Sequence, residues 1–304
     1  MFWRGVRDWL TGHRHAQVAL AMLRCTIGFV SVAFYVSNYS RRQFLFGASG
    51  LYSTDQRRQE LSSRGAWSLF ALWPEGWQFE LLYLLGLVLA LLVTIGFGGR
   101  LVLAGHWLML WSLYNANPII LDGGDNFIII ATLFLLLTRC YDRLVFFRRE
   151  PVLSARSVTV HNLGVSLLAS QVSIIYLCAG FYKVEGSLWQ DGTALYYILQ
   201  VPEFYHPFLT PIIMKTDLAL VVLSYAVVLV SVYFPLAVLF PQGRPFAVAV
   251  MVAFHVGIAI VMGLTSFALV MMAADLLFVS SRVEWGLDKV KMQMNHWSSG
   301  RVAA

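Results

Sequence analysis

Lys183 is the residue in this chain with the most reactive side chain in the most unusual setting. It stands where the apolar run 163–182 ends, within the stretch Ala179-Gly-Phe-Tyr-Lys-Val-Glu-Gly-Ser-Leu-Trp-Gln-Asp-Gly-Thr-Ala-Leu-Tyr-Tyr197. A membrane-spanning helix needs roughly 20 residues at about 1.5 Å rise each, so Lys183 falls at the membrane boundary or slightly within it. A lysine there can simply snorkel its ammonium to the headgroups. The residues that follow favour chemistry: Trp189-Gln-Asp-Gly is a turn signal in an aromatic-rich interfacial segment, and the chain then re-enters an apolar, helix-like run over 193–200. A lysine roofed in this way is partly desolvated, and desolvation disfavours the charged form, which suits a general base that abstracts a proton.

Two histidines lie inside apolar runs. His106 shares a helical face with Leu110, Leu113 and Asn117, and His255 has Thr265, Ser266 and Asp275 as its nearest downstream polar groups. An intramembrane histidine is a functional candidate by default, with hydrogen-bonded helix packing as the equal alternative. No HxxxH or HExxH is present, and no metal site is expected. The loop Asn115-Ala-Asn-Pro-Ile-Ile-Leu-Asp-Gly-Gly-Asp-Asn126 is turn chemistry, with Asp125 or Asn126 placed to cap the next helix. Its amides and carboxylates, Asn115, Asn117, Asp122 and Asp125, also make a base-free polar rim, and Asp191 adds a further carboxylate to the segment after Lys183. Cys25, Cys140 and Cys178 form no CxxC and read as buried thiols, with Cys25 and Cys178 free to approach each other.

Composition fixes what must position these groups. Of 304 residues 59% are hydrophobic and 12% charged, and the mean hydropathy is +0.69, which excludes an ordinary soluble domain. The expected fold class is an all-α polytopic membrane protein with about eight transmembrane helices and a short N-terminal amphipathic interfacial helix. Residues 1–15 form the amphipathic segment, in which Phe2, Trp3, Val6, Trp9 and Leu10 alternate with Arg4, Arg7 and Asp8. No small-residue cleavage site follows it, so the first span is expected to stay as an anchor. The spans are expected over 16–36, 79–97, 101–114, 127–140, 163–182, 218–240, 246–262 and 267–281, within a transmembrane domain 16–283 followed by a tail 284–304.

Charge orients them. With the N-terminus inside, fourteen of the 22 basic residues fall on the cytoplasmic side, while five of the seven outside sit in one long loop, 37–78. Both termini are therefore expected in the cytoplasm, and Lys183 on the outer side of the cell inner (cytoplasmic) membrane. The pI of about 9.3 reflects scattered membrane-flanking charges in contact with the lipid bilayer, so no nucleic-acid partner is expected.

Three stretches, "NPIILDGGDN", "AGFYKVEGSLWQDGTALYYIL" and "FHVGIAIVMGLTSFALVMMAADLLF", resemble the signature regions of the HTTM (horizontally transferred transmembrane) domain family. That family includes the membrane domain of the vitamin K-dependent gamma-carboxylase and the bacterial sporulation-delaying protein B group. The likeness runs from the first span to about Val283 and is most specific at the lysine followed by Trp-x-Asp-Gly. It implies that Lys183 deprotonates a reduced quinone, of menaquinol or vitamin K type, and puts His255 beside it; Trp189, Tyr182 and His106 complete the expected cofactor-binding set. It further implies modification or maturation of an exported peptide or protein, a peptide toxin in the sporulation-delaying case. The chain has no counterpart of the carboxylase's large lumenal region, so recognition is expected from a partner subunit docking on the long loop at Trp67, Phe70 and Trp73. The alternative is a non-catalytic quinone-binding or structural subunit of an export or maturation complex.

Overall fold

A computed structural model describes residues 2–48, 50–146 and 154–282. The expected tail 284–304, with Lys289, Lys291 and Arg301, lies outside the described residues, as do Arg148 and Arg149. In chain order the helices are α1 (Phe2–Thr11), α2 (Gln17–Ser37), α3 (Arg42–Phe46), α4 (Thr54–Ser63), α5 (Leu69–Leu72), α6 (Gly76–Ile95), α7 (Gly99–Ala116), α8 (Gly123–Leu137), α9 (Ala155–Glu185), α10 (Ser187–Gln190), α11 (Ala194–Ile198), α12 (Leu209–Ile213), α13 (Asp217–Ala237), α14 (Arg244–Met262) and α15 (Thr265–Asp275). No strand occurs among the described residues. The protein is an all-helical polytopic membrane protein.

Among the described residues six helices are long and apolar enough to cross a bilayer: α2, α6, α9, α13, α14 and the stretch Thr265–Arg282 that begins with α15. The other two expected spans exist as helices, but α7 carries Arg100, His106 and Asn115, and α8 has only 15 residues. Boundaries moved where polar groups were satisfied inside the bundle rather than by water. The fifth span begins eight residues earlier than its apolar run, at Ala155, because His161 and Asn162 are buried and bonded there.

Packing centres on two helix pairs. α2 lies along α6 and against α15, and α9 lies along α13 and against α8; α7 bridges α6 to α8, and α14 closes on α15. At one end Arg24 on α2 is wholly buried. It donates to the carbonyls of Val93 and Thr94 in the last turn of α6, and to those of Cys140 (3.2 Å) and Leu144 (2.6 Å) beyond α8. Val93 and Thr94 belong to the final turn of α6, where helix carbonyls lack intrahelical partners and carry the partial negative charge of the C-terminus, and with the Cys140 and Leu144 carbonyls they let a cation sit in the apolar interior without a carboxylate.

The same end holds α1. It forms over Phe2–Thr11 as its amphipathic pattern requires, but it is tied to α9 rather than resting on lipid alone. The Asn162 amide donates to the carbonyls of Trp9 (3.1 Å), Leu10 (3.0 Å) and His13 (2.8 Å), and its oxygen accepts the His15 N–H (3.1 Å). Asp142 draws Arg14 and Arg139 onto the same corner.

At the opposite end, the expected long loop is folded into α3, α4 and α5. Arg57 is buried and donates to the carbonyls of Phe46 (2.7 Å) and Gly47 (3.0 Å). Burial without a carboxylate lowers its affinity for its proton from the ordinary guanidinium value. Phe70 is fully buried against Phe79, so it belongs to the core and is not a surface anchor, whereas Trp67 and Trp73 remain exposed. Removal of 53–63 would therefore strip Arg57 and Leu61 from the packing and disturb the fold itself.

The cap of α8 is also corrected. Asp122, not Asp125 or Asn126, occupies the N-cap and accepts from the Gly124 (2.6 Å) and Asp125 (3.1 Å) N–H groups, while the Asp125 carboxylate reaches back to the Asp122 N–H (3.0 Å). This is a reciprocal capping box. Gly124 is needed because α15 starts against it: a Cβ there would lie 3.0 Å from the Phe267 Cα, a backbone atom that cannot swing aside. Gly124→Ala is expected to lose about 1–3 kcal/mol of stability through this overlap. An unchanged melting temperature for the purified Ala variant would refute the close contact.

Candidate functional site

α9 brings two chemically active side chains onto one face. Tyr176 precedes Lys183 by seven residues, close to two full turns, so the two side chains share a face about 10 Å apart along the helix axis. α14 and α15 cross that face and supply His255 and Asp275. The Tyr176 hydroxyl lies 2.8 Å from His255 Nε2, and 2.9 and 3.0 Å from the two Asp275 oxygens. His255 Nε2 and Asp275 Oδ2 are 4.0 Å apart, so the tyrosine bridges them. All three are buried, at 4%, 1% and 0% exposure. Phe234 packs edge-on to Tyr176, and Phe267 edge-on to His255, which walls the cluster with aromatic rings. Polar groups so enclosed are costly unless paired, and here one atom, His255 Nδ1, has no partner among the described residues.

Lys183 occupies the last turn of α9, half-buried. Its Nζ donates to the Ala179 carbonyl (3.2 Å) and stands 5.5 Å from the centre of the Trp189 ring. No carboxylate among the described residues lies within ion-pair distance of it. The expected roof is present: α10 carries Trp189, Gly192 takes a positive φ of 71° to turn the chain, and the expected run 193–200 forms the single-turn α11. The roof is pinned to α13 by Tyr225, whose hydroxyl donates to the Gln190 carbonyl (2.6 Å), and by Ser224, which accepts the Leu195 N–H (3.3 Å).

The other expected site residues divide by role. Tyr182 is 77% exposed and lines an apolar groove of about 600 Å³ between α8 and α9, together with Ala179, Cys178, Gln171 and Phe127. The groove also reaches Gly123 and Asn126, so the 115–126 loop and Lys183 share one end of the bundle. Asp191 is exposed. His106 is buried elsewhere, on α7, with Nε2 3.3 Å from the Ser31 hydroxyl of α2. Asn115 donates to the Trp111 carbonyl of its own helix (2.9 Å), and buried Asn117 donates to the Leu45 carbonyl (3.1 Å). Asp125 accepts from the Tyr114 hydroxyl (2.8 Å) while closing the α8 cap. Asn117, Asp122 and Asp125 thus hold the end of the bundle together. Cys25, Cys140 and Cys178 are all free thiols; Cys25 lies beside Arg24 at the far end from Cys178.

Tyr176 was missed by the sequence reading, and Asp275 entered it only as a downstream polar group. A signal existed: Asp275 is the sole carboxylate within the run 267–281, and an acid inside a span is a functional candidate on energetic grounds. Tyr176 gave none, since a tyrosine in an apolar aromatic-rich helix is ordinary. Among the described residues no group of three or more His, Cys, Asp or Glu could hold a metal ion.

Apolar helices that enclose an aspartate, a tyrosine and a histidine, with a lysine at the rim above them, define a polytopic membrane protein with a polar interior site. The chain belongs to the HTTM domain family, which matches residues 62–285. It is similar to the Sporulation-delaying protein SdpB of Bacillus subtilis (strain 168), 23% identical over 210 residues that make up 66% of this chain and 64% of SdpB. It is also similar to the Uncharacterized protein YitO of the same organism, 25% identical over 203 residues, 64% of this chain and 65% of YitO. The chain thus spans just under two thirds of the length of each relative. No solved structure matches it.

Proposed function

We propose that this protein is a gamma-carboxylase-like membrane enzyme that uses a reduced quinone to modify or mature an exported peptide or protein, with Lys183 as its base. The observation that carries the reading is Lys183 itself: a half-buried amine under an aromatic roof, without a carboxylate partner, above a buried polar cluster in an HTTM domain. An amine acts as a base only when unprotonated, and low polarity with no neighbouring anion favours that form. Lys183 would take the proton of a quinol hydroxyl on its Nζ lone pair, and the resulting ammonium would be held by the Ala179 carbonyl and the Trp189 ring face.

The residues fit such a ring. The aromatic walls Phe234 and Phe267 exclude water, His255 Nδ1 is a buried polar atom without a partner, and the α8–α9 groove offers a path for a hydrocarbon tail from the bilayer. When bound, the quinol supplies the reducing equivalents. Native mass spectrometry of the purified protein tests the assignment. A co-purifying quinone is expected, and a preparation that neither retains nor binds one would overturn it.

The reading includes eight membrane crossings in the cell inner membrane, both termini in the cytoplasm, and the Lys183 end outside. Support comes from the fourteen basic residues grouped at one set of loops and from the two extra helices, α7 and α8, packed within the bundle. A cysteine at Gly123 in a thiol-free background is expected to label from outside the cell. Labelling from the cytoplasmic face alone would reverse the orientation. Substrate recognition is assigned to a partner subunit, docked on the same end through exposed Trp67 and Trp73.

A further inference from the structure

We infer that Tyr176 and Asp275 are positioning residues that hold His255 with a proton on Nδ1, so that it presents an N–H donor to an acceptor oxygen of a lipophilic ligand. The inference rests on the quinol reading only for the ligand's identity, a quinone oxygen; the donor itself follows from the geometry.

The argument is a count of protons. The Tyr176 hydroxyl has one proton and three near neighbours, His255 Nε2 at 2.8 Å and the Asp275 oxygens at 2.9 and 3.0 Å. It can donate to one side only, so the other side must donate to it. Two arrangements keep the cluster uncharged with its hydrogen bonds in single file. In the first, Tyr176 donates to an Asp275 carboxylate and accepts from Nε2–H of an imidazolium. In the second, a protonated Asp275 donates to Tyr176, which donates to Nε2. Moving each proton one step along the file converts one arrangement into the other, and no proton is gained or lost. In both, the remaining imidazole proton is on Nδ1. Two contrary cases put the ring proton on Nε2 alone: an ionised Asp275 then leaves a net negative charge at 0% exposure among apolar side chains, and a protonated Asp275 turns two donors, its own O–H and Nε2–H, onto the one hydroxyl, whose proton must fold back in a bent contact to the other Asp275 oxygen.

Nδ1 is the atom of this cluster that has no partner among the described residues, and its residue is 1% exposed. A buried N–H without an acceptor is a standing cost that a bound oxygen removes. The ring cannot turn to find one, because Nε2 is held by Tyr176 and the ring is held edge-on to Phe267. The donor therefore points in a fixed direction before any ligand arrives, and this preorganisation favours an oxygen that gains negative charge. A carbonyl or phenolate oxygen on an apolar ring is the matching chemistry. His106 differs: the Ser31 hydroxyl donates to the Ile27 carbonyl (2.8 Å), so it accepts from His106 Nε2–H, and no carboxylate completes a relay.

The test is 15N NMR of the full-length protein labelled at histidine, with the His255 signal assigned by loss in His255→Gln, and with 2-methyl-1,4-naphthoquinone as the probe. A proton on Nδ1 is expected before the probe is added, and that resonance should move on addition. Tyr176→Phe keeps the ring against Phe234 and removes only the hydroxyl; it is expected to abolish the Nδ1 signature and weaken probe binding roughly tenfold. Asp275→Asn should do the same, and the wild-type spectrum decides the matter even where that variant fails to fold. An unprotonated Nδ1 in the wild type, or unchanged probe affinity in Tyr176→Phe, would overturn the inference. A protonated Nδ1 with no probe binding to the wild type would instead overturn the quinol reading, and with it the assignment of a quinone oxygen as the acceptor.

Discussion

Replacing Lys183 by arginine is expected to remove substrate maturation as completely as replacing it by alanine. A base must give up its proton at working pH, and guanidinium, with a pKa above roughly 12, does not. Loss of a general base lowers turnover on the order of 10²–10⁴-fold. An anchoring lysine behaves in the opposite way, since a headgroup-level cation needs only its charge and arginine supplies it. The structure makes the comparison clean. Lys183 has one backbone hydrogen bond and one ring contact, so neither substitution removes core packing, and both variants are expected to fold and, under the proposed function, to keep any quinone binding. A small external amine should partly restore the alanine variant by entering the space left beneath Trp189. Near-normal maturation of the exported substrate by Lys183→Arg would leave Lys183 as an anchor and remove it from the chemistry.

The largest effect on stability is expected at the other end of the bundle, from Arg24→Met. Methionine keeps most of the volume and the apolar stem but removes every donor to the carbonyls of Val93, Thr94, Cys140 and Leu144. The Val93 and Cys140 contacts are buried, at the end of α6 and in the turn after α8, while those to Thr94 and Leu144 are part-buried. Breaking one side of such a buried charged contact costs about 3–5 kcal/mol, which for a chain of this size lowers the melting temperature by on the order of 10 °C. Arg24→Lys retains the charge but reaches fewer carbonyls, and should fall between the two. Thermal unfolding in detergent measures this directly. A methionine variant that melts with the wild type would mean that the arginine is not what joins α2 to the end of α6.

This contact also marks where the sequence stopped being informative. Arg24 reads as an isolated cation inside the first span, and its neighbours at 93–94 and 140–144 are distant in the chain. Asn162 and His161 read as the polar edge of a span, yet they are buried and fasten the N-terminal segment to α9. In each case the deciding partner is a backbone carbonyl, a group that every residue carries, so no side-chain pattern reports it.

Hydropathy alone determined the all-helical membrane class, the position of the long apolar helices to within a few residues except at the start of α9, and the amphipathic α1, because backbone groups in a bilayer must be satisfied within a segment and 3.6-residue periodicity then exposes the pattern. The roof over Lys183 was legible for a similar reason: Trp189-Gln-Asp-Gly specifies a turn through local backbone preference, and Gly192 takes the positive φ that the turn requires. Tertiary structure alone decided which polar groups meet. His255 faces Tyr176 and Asp275 while His106 is turned to Ser31, and Asp122 caps α8 against the start of α15. Those choices depend on how helices far apart in sequence are rotated and crossed. Apolar faces that all resemble lipid encode such rotations only weakly, and side-chain packing and a few buried hydrogen bonds fix them.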